Sequence, residues 1–106
     1  MDFKELDIYC VDHSSYEDEL LSELTRQTYL KVLNPRMLSG CSQGLLLKMI
    51  VSMLKPNRVL EIGTFTGYSA LCMAAGLSAD GLIHTIEIND EVAAFAQSFF
   101  YRSDYA

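Results

Sequence analysis

Four residues in this 106-residue chain have the types and spacing to do chemistry together: Glu61, Gly63, Gly67 and Glu87. Glu61 lies near the end of the apolar run Arg58 to Ile62. Gly63 and Gly67 bracket the turn Thr64-Phe65-Thr66, and Glu87 lies near the end of a second apolar run, Leu82 to Ile88. Glycine lets a backbone approach a ligand or a neighbouring element closely. Carboxylates at the carboxyl ends of adjacent parallel strands meet where an open α/β sheet holds its ligand. Strand, glycine turn, helix, strand, acid is the grammar of a nucleoside-binding βαβ unit.

Two cofactor classes use that grammar. In the dinucleotide version a GxGxxG turn sets backbone amides against an anionic pyrophosphate, and a later acid binds the ribose hydroxyls. Here the order is Glu61-x-Gly63-x-x-x-Gly67, so a carboxylate stands where a first glycine would be. A fixed negative charge beside a desolvated pyrophosphate is repulsive by roughly several kcal/mol. S-adenosylmethionine has no phosphate, and its amino and sulfonium groups are cationic. The carboxylate suits S-adenosylmethionine and disfavours a nicotinamide dinucleotide. Glu61 then serves the methionine portion or its water, and Glu87 accepts both ribose hydroxyls. Gly63 permits close approach of the backbone, and Gly67 permits close packing of helix on strand.

The elements that must position these residues are legible around them. Arg58 to Ile62 reads as a strand buried on both faces, as in parallel sheets. Tyr68 to Leu77 reads as a helix whose Ala70, Ala74, Ala75 and Gly76 let it lie close on a sheet. Ser78-Ala79-Asp80-Gly81 is a turn. Leu82 to Ile88 is the second strand. Asn89 or Asp90 caps a last helix with Val92, Phe95, Ala96, Phe99 and Phe100 on its core side. Upstream, Met1 to His13 has no clean period and reads as an arm with at most one helical turn. Ser14-Ser15-Tyr16-Glu17 is a capping-box pattern opening a helix to Lys31, with Leu20, Leu21, Leu24 and Thr28 on one face. Glu17, Asp18 and Glu19 are expected to form its solvated, dipole-favoured start. Asn34-Pro35 ends it. A helix entered through Ser39-Gly40-Cys41-Ser42 carries Leu45, Leu46, Met49, Ile50, Met53 and Leu54 as a wide stripe expected to pack against the body of the protein.

Composition narrows the function classes. Half of the residues are hydrophobic and about a fifth charged, which is globular. The length is that of one small domain. A net charge of −6, with eight scattered Lys and Arg, argues against nucleic acid as a partner. Three widely spaced cysteines without a CxxC pair, and two remote histidines, support no zinc site. They fit reduced thiols in a cytoplasmic protein. The start has no signal-peptide pattern, and the longest apolar run, Leu45 to Leu54, is about half a membrane span, so no membrane is expected.

"VLEIGTFTGYSAL" followed by "HTIEIND" resembles the S-adenosylmethionine-binding half of the cation-dependent class I O-methyltransferases of the caffeoyl-coenzyme A and catechol type, most of all their bacterial members. The resemblance runs upstream through "LKVLNPRMLSGCSQGLLLKMI" and downstream to the end of the chain. It implies a Rossmann-like α/β methyltransferase fold, present in part: residues 1–57 as an arm and helices packed on the cofactor domain, and residues 58–106 as its first βαβα unit. By motif position it implies cofactor contacts at Ser39, Glu61, Gly63, Thr64, Gly67, Tyr68, Ser69, Glu87 and Ile88, with Ser39 closing over the cofactor. It also implies a homodimer and a small hydroxylated acceptor. Members of the family are about twice this length. The resemblance therefore implies a divalent metal such as Mg²⁺ only in the full-length form, because the metal-binding Asp and Asn and the catalytic Lys have no counterpart here. Asp80, Asp90 and Asp104 are turn, cap and tail residues, no metal ligand is assigned, and the catalytic residues are unknown.

Two strands alone would leave an apolar sheet edge and face uncovered. The chain is therefore expected to be a truncated product or to complete its sheet through another chain, and to be inactive alone. A non-catalytic S-adenosylmethionine-binding or assembly module is the alternative reading.

Overall fold

The computed structural model describes residues 2–105. Met1 and Ala106, the outermost residues of the expected arm and tail, lie outside the described residues. The elements follow in chain order: α1 (Phe3–Asp12), α2 (Glu19–Lys31), a 3-10 turn (Pro35–Met37), α3 (Cys41–Leu54), β1 (Arg58–Ile62), α4 (Tyr68–Gly76), β2 (Leu82–Ile86) and α5 (Asp90–Arg102). β1 and β2 pair in parallel, with Val59 opposite Ile83 and Glu61 opposite Thr85. The last pairing runs past β1, because the amides of Gly63 and Thr64 both donate to the Ile86 carbonyl at 2.8 and 3.1 Å.

The N-terminal stretch differs from expectation in two ways. The arm is a ten-residue helix, opened by Asp2, whose side chain accepts from the Glu5 amide. Ser14 does not cap α2. Its hydroxyl donates back to the Cys10 carbonyl at 2.5 Å, while the Asp18 carboxylate accepts from the Leu21 amide at 2.8 Å and opens α2 at Glu19. A charged acceptor gains from the helix dipole as well as from the hydrogen bond. Asn89 caps α5 by accepting from Glu91 and Val92.

The core sits where α2, α4 and α5 meet. Leu24, Tyr68, Leu71, Cys72 and Phe99 form it, with Leu20, Leu21, Leu38, Phe95 and Phe100 packed around them. α3 lies against α4 on a glycine-lined side. A Cβ on Gly76 would come within 2.6 Å of the Lys48 carbonyl, and one on Gly44 within 2.6 Å of the Cys72 sulfur. Docking through Gly44 and Val51 leaves the expected α3 stripe uncovered. Leu46, Met49, Ile50, Met53 and Leu54 are all exposed, Leu54 by 74%. Two helices approach most closely where one offers no side chain, so α4 takes the narrow side and the wide side is left free.

The sheet is likewise covered on one face. Val59, Glu61, Ile83 and Thr85 are half-buried, whereas Leu60 and Ile62 are 65% and 81% exposed. The expectation that β1 is buried on both faces is therefore not met in this chain, and the expected uncovered face is present. Leu82, Ile86 and Ile88 extend it. The 20 residues Pro35–Leu54 are apolar enough in composition to cross a membrane. They do not form one helix: Gly40, at φ +86°, separates the 3-10 turn from α3. The 14 residues of α3 rise only about 21 Å against a hydrocarbon core of about 30 Å.

Candidate functional site

Glu61 projects from β1 toward α4, and both of its oxygens are held. Ser69, in the first turn of α4, donates to Oε2 at 2.5 Å, and Thr85 of β2 donates to Oε1 at 2.8 Å. Thr85 has one hydroxyl proton, which Glu61 takes. The 2.6 Å contact between Thr64 and Thr85 therefore has Thr64 as donor. A relay from Thr64 through Thr85, with Ser69 from the other side, fixes the carboxylate where strand, turn and helix converge. Thr85 was not among the expected site residues. It lies two residues after Ile83 on the covered face and opposite Glu61 in register, and that alternation is the signal that could have found it.

The turn after β1 is built from unusual backbone. Gly63 has φ +95° and nothing within 4 Å of where its Cβ would stand, so open space lies above it. Phe65 takes φ +50°, a left-handed conformation a bulky residue rarely adopts. The amide of Gly67 closes the turn onto the Thr64 carbonyl at 3.0 Å. Gly67 itself has φ +96°, and its close approach is to α5: a Cβ would stand 2.6 Å from the Phe100 ring and 3.4 Å from the Ala96 methyl. The expected role in helix–strand packing is thus corrected to helix–helix packing.

Glu87 lies one residue beyond β2, which ends at Ile86 rather than at Ile88. Its Oε1 accepts from the Phe65 amide at 2.8 Å and its Oε2 from the Asn89 amide at 3.1 Å. Each carboxylate oxygen keeps a second lone pair, so the group is oriented yet able to accept from a diol. Glu61 and Glu87 thus stand on the two sides of an open glycine turn. Between them α4 is capped by Gly67 without a side-chain hydrogen bond. Its first amides are a natural seat for an anionic group such as a carboxylate.

The other expected residues distribute as follows. Ile88 is almost fully exposed beside Glu87. Ser39 precedes the α3 cap Gly40 and is held near the core through Leu38. Tyr68 turns its side chain inward, 2% exposed, and donates its hydroxyl to Glu17. Burial, then that hydrogen bond, raises its pKa well above the ordinary tyrosine value. Its side chain is a core group, and only its backbone faces the turn. Glu17 accordingly is not a solvated helix start: it also accepts from Ser22 at 2.8 Å. Burial likewise pushes the Cys72 thiol up to about 12.

Two cavities, of about 350 and 660 Å³, flank α4, and neither is lined by Glu61, Gly63 or Glu87. The candidate site is an open shelf at the sheet's edge. Among the described residues no group of three or more His, Cys, Asp or Glu could hold a metal ion. Asp80 is in a turn, Asp90 opens α5 and Asp104 is in the tail. The described residues therefore do not fit a divalent metal ion.

A parallel βαβ unit with acids at both strand ends and an open glycine turn between them defines a nucleoside-cofactor fold of the Rossmann-like class. The O-methyltransferase family model matches residues 11–106. This chain belongs to the O-methyltransferase family, in its class I, caffeoyl-CoA and catechol-type branch, and corresponds to the N-terminal half. It is 32% identical over 95 residues to a catechol O-methyltransferase of Niastella koreensis, covering 90% of this chain and 42% of that protein. It is 36% identical over 85 residues to caffeoyl-CoA O-methyltransferase 2 of Petunia hybrida, covering 78% and 35%. Among solved structures, the O-methyltransferase TomG from Streptomyces achromogenes, in complex with SAM, superposes with a TM-score of 0.88 at 33% identity, over all of this chain and 49% of its own. An O-methyltransferase from Bacillus cereus, in complex with SAH, gives 0.85 at 32% identity over 92% and 44%. The chain spans less than half the length of these relatives, and the fold is the corresponding part of a methyltransferase α/β fold.

Proposed function

We propose that this chain is the cofactor-holding half of an S-adenosylmethionine-dependent O-methyltransferase acting on a small hydroxylated, catechol-like acceptor. The observation that carries this reading is the open space above Gly63, flanked by two oriented carboxylates, Glu61 and Glu87. In this reading Glu87 takes the ribose diol, the first turn of α4 takes the methionine carboxylate, and Glu61 faces the cationic end of the methionine portion. Ser69 holds Glu61 in place, and Ser39 closes the segment above. The methyl group then leaves the sulfonium for an acceptor oxygen in line with the breaking carbon–sulfur bond, yielding S-adenosylhomocysteine and a proton. This chain's residues orient the donor. Activation of the acceptor oxygen, the divalent metal and the remainder of the sheet belong to residues outside this chain, and the assembled enzyme is a cytoplasmic dimer in the same reading.

Calorimetric titration tests the proposal. Saturable binding of S-adenosylhomocysteine, absence of NAD binding, and loss of S-adenosylhomocysteine binding in Glu87→Gln are expected. NAD binding, or S-adenosylhomocysteine affinity unchanged by Glu87→Gln, would overturn it.

A further inference from the structure

Thr28 and Thr66 are buried and face each other across the core, both with 0% exposure, one in the last turns of α2 and the other inside the glycine turn. Their hydroxyl oxygens are 3.1 Å apart, and the Thr28 hydroxyl also lies 2.7 Å from the carbonyl of Leu24, in its own helix. The Thr28 hydroxyl is the donor in both contacts, so its one proton is shared between the Leu24 carbonyl and the Thr66 oxygen. The link between the elements runs from α2 into the turn: Thr28 to Thr66. A second tie lies just before the helix, where Glu17 accepts the Tyr68 hydroxyl from the first residue of α4. α2 thus grips the site from both of its ends, although none of its residues reaches the shelf between Glu61 and Glu87.

Thr66 sits between Phe65, whose strained amide holds Glu87, and Gly67, which opens α4. Fixing Thr66 by a buried hydrogen bond fixes the two residues on either side of it. We propose that the Thr28–Thr66 hydroxyl pair is a positioning device, through which α2 sets the conformation of the cofactor turn and so the aim of Glu87. Neither residue touches the cofactor in this proposal, which rests on the reading of the turn as the S-adenosylmethionine site.

Removal of the two hydroxyls is not symmetric. Thr28→Val leaves the Thr66 hydroxyl buried without its partner, which is the expensive kind of loss. Thr66→Val leaves Thr28 still donating to Leu24. The double valine variant removes both polar groups at nearly constant shape, so its stability returns close to wild type. A merely structural pair would also recover ligand binding in the double variant. A positioning pair would not.

The experiment measures urea unfolding, S-adenosylhomocysteine affinity by calorimetry, and amide hydrogen exchange of the turn for wild type, Thr28→Val, Thr66→Val, the double variant and Thr66→Ser. The expected result is about fivefold weaker binding in both single variants and in the double, corresponding to about one net hydrogen bond. Faster exchange at the Phe65 amide should accompany it, with Thr66→Ser close to wild type. Recovery of full affinity in the double variant would overturn the proposal, as would unchanged Phe65 exchange. If wild type binds no S-adenosylhomocysteine, the cofactor reading falls, and the exchange comparison alone decides whether the pair sets the turn.

Discussion

Gly67 is the position where sequence, backbone and packing constrain one another most tightly, and its substitution by alanine can be worked through from geometry. The residue has φ +96°, where an L side chain is strained by about 1–2 kcal/mol. A Cβ there would also meet the Phe100 ring at 2.6 and 2.9 Å, a clash that the half-buried ring can relieve only by moving out of the core. Overpacking of that kind is worth about 1–3 kcal/mol. Gly67→Ala is therefore expected to destabilise by about 2–5 kcal/mol, a large share of the total for a domain whose stability is on the order of 0.05–0.15 kcal/mol per residue. Gly63→Ala is the internal control. Its φ is almost the same, +95°, but nothing lies within 4 Å, so only the backbone share, about 1–2 kcal/mol, should appear. Urea unfolding followed by circular dichroism measures both, and with a slope of about 1–2 kcal/mol per M the two midpoints should be resolved. Phe100→Leu combined with Gly67→Ala should recover part of the loss, because the residues share one contact and cannot be additive. Equal losses at the two glycines, or strict additivity of the Gly67–Phe100 pair, would refute the argument that α5 closes on the start of α4. For ligand binding the order reverses: a methyl group at Gly63 projects into the proposed cofactor space, so Gly63→Ala should abolish S-adenosylhomocysteine binding while leaving most of the stability.

Three further outcomes are expected. Glu61→Gln places an amide N–H₂ against one of two hydroxyl donors, so it should lower stability by about 1.5–3 kcal/mol and weaken S-adenosylhomocysteine binding at least tenfold; unchanged calorimetric and melting data would show that Ser69 and Thr85 are not held by the charge. Burial raises the Cys72 thiol from 9.0 to about 12 and raises Tyr68 further, so the folded state favours the protonated forms. That contribution is fully present below pH 9 and is lost as pH rises toward 12; urea midpoints should fall across this window, and less steeply in Cys72→Ala, whereas a flat profile would contradict it. The open face of Leu60, Ile62, Leu82 and Ile86 should drive self-association of the isolated chain. Sedimentation velocity should show Ile62→Lys less associated than wild type, and a monodisperse wild-type monomer would count against the incomplete-sheet reading.

The parts of the fold legible in the sequence are those whose partners are near in the chain. β1, α4 and α5 fall within one or two residues of expectation, because their apolar periods and turn residues answer to one another inside a single βαβα unit. Glu61 and Glu87 were legible because strand ends are recognisable and acids there are unusual. The α3 stripe was read correctly as apolar and wrongly as covered: Leu46 to Leu54 has the period of a packing face, but period does not say whether the covering element lies in the same chain. Thr85 could have been found from its alternation with Ile83, whereas the pairing of Thr28 with Thr66 was missed because a threonine in a helix or a turn has no spacing signature. That pairing depends on how α2 docks on the turn. The capping residue of α2 moved from Ser14 to Asp18 because two acceptors competed and the charged one took the helix.

Phe65 shows why the turn needs so many restraints. A bulky residue at φ +50° is disfavoured, and its conformation persists only if the surroundings over-determine it. Three hydrogen bonds do so from three directions: Glu87 on the Phe65 amide, Thr28 on the Thr66 hydroxyl, and the Thr64 carbonyl on the Gly67 amide. The last closes the turn on itself, and the other two come from outside it, from just beyond β2 and from α2, so the turn holds its shape only when α2 and β2 are both docked. In the proposed reading, methyl transfer needs carbon, sulfur and oxygen closely aligned, and a cofactor turn held by the fold would supply that alignment before the ligand arrives. The strain at Phe65 is then offset by packing elsewhere, and the same packing explains why Glu87 has one orientation although it sits on a loop. Rigidity of this kind can be supplied by the N-terminal half alone, since every group that enforces it lies between Glu17 and Asn89.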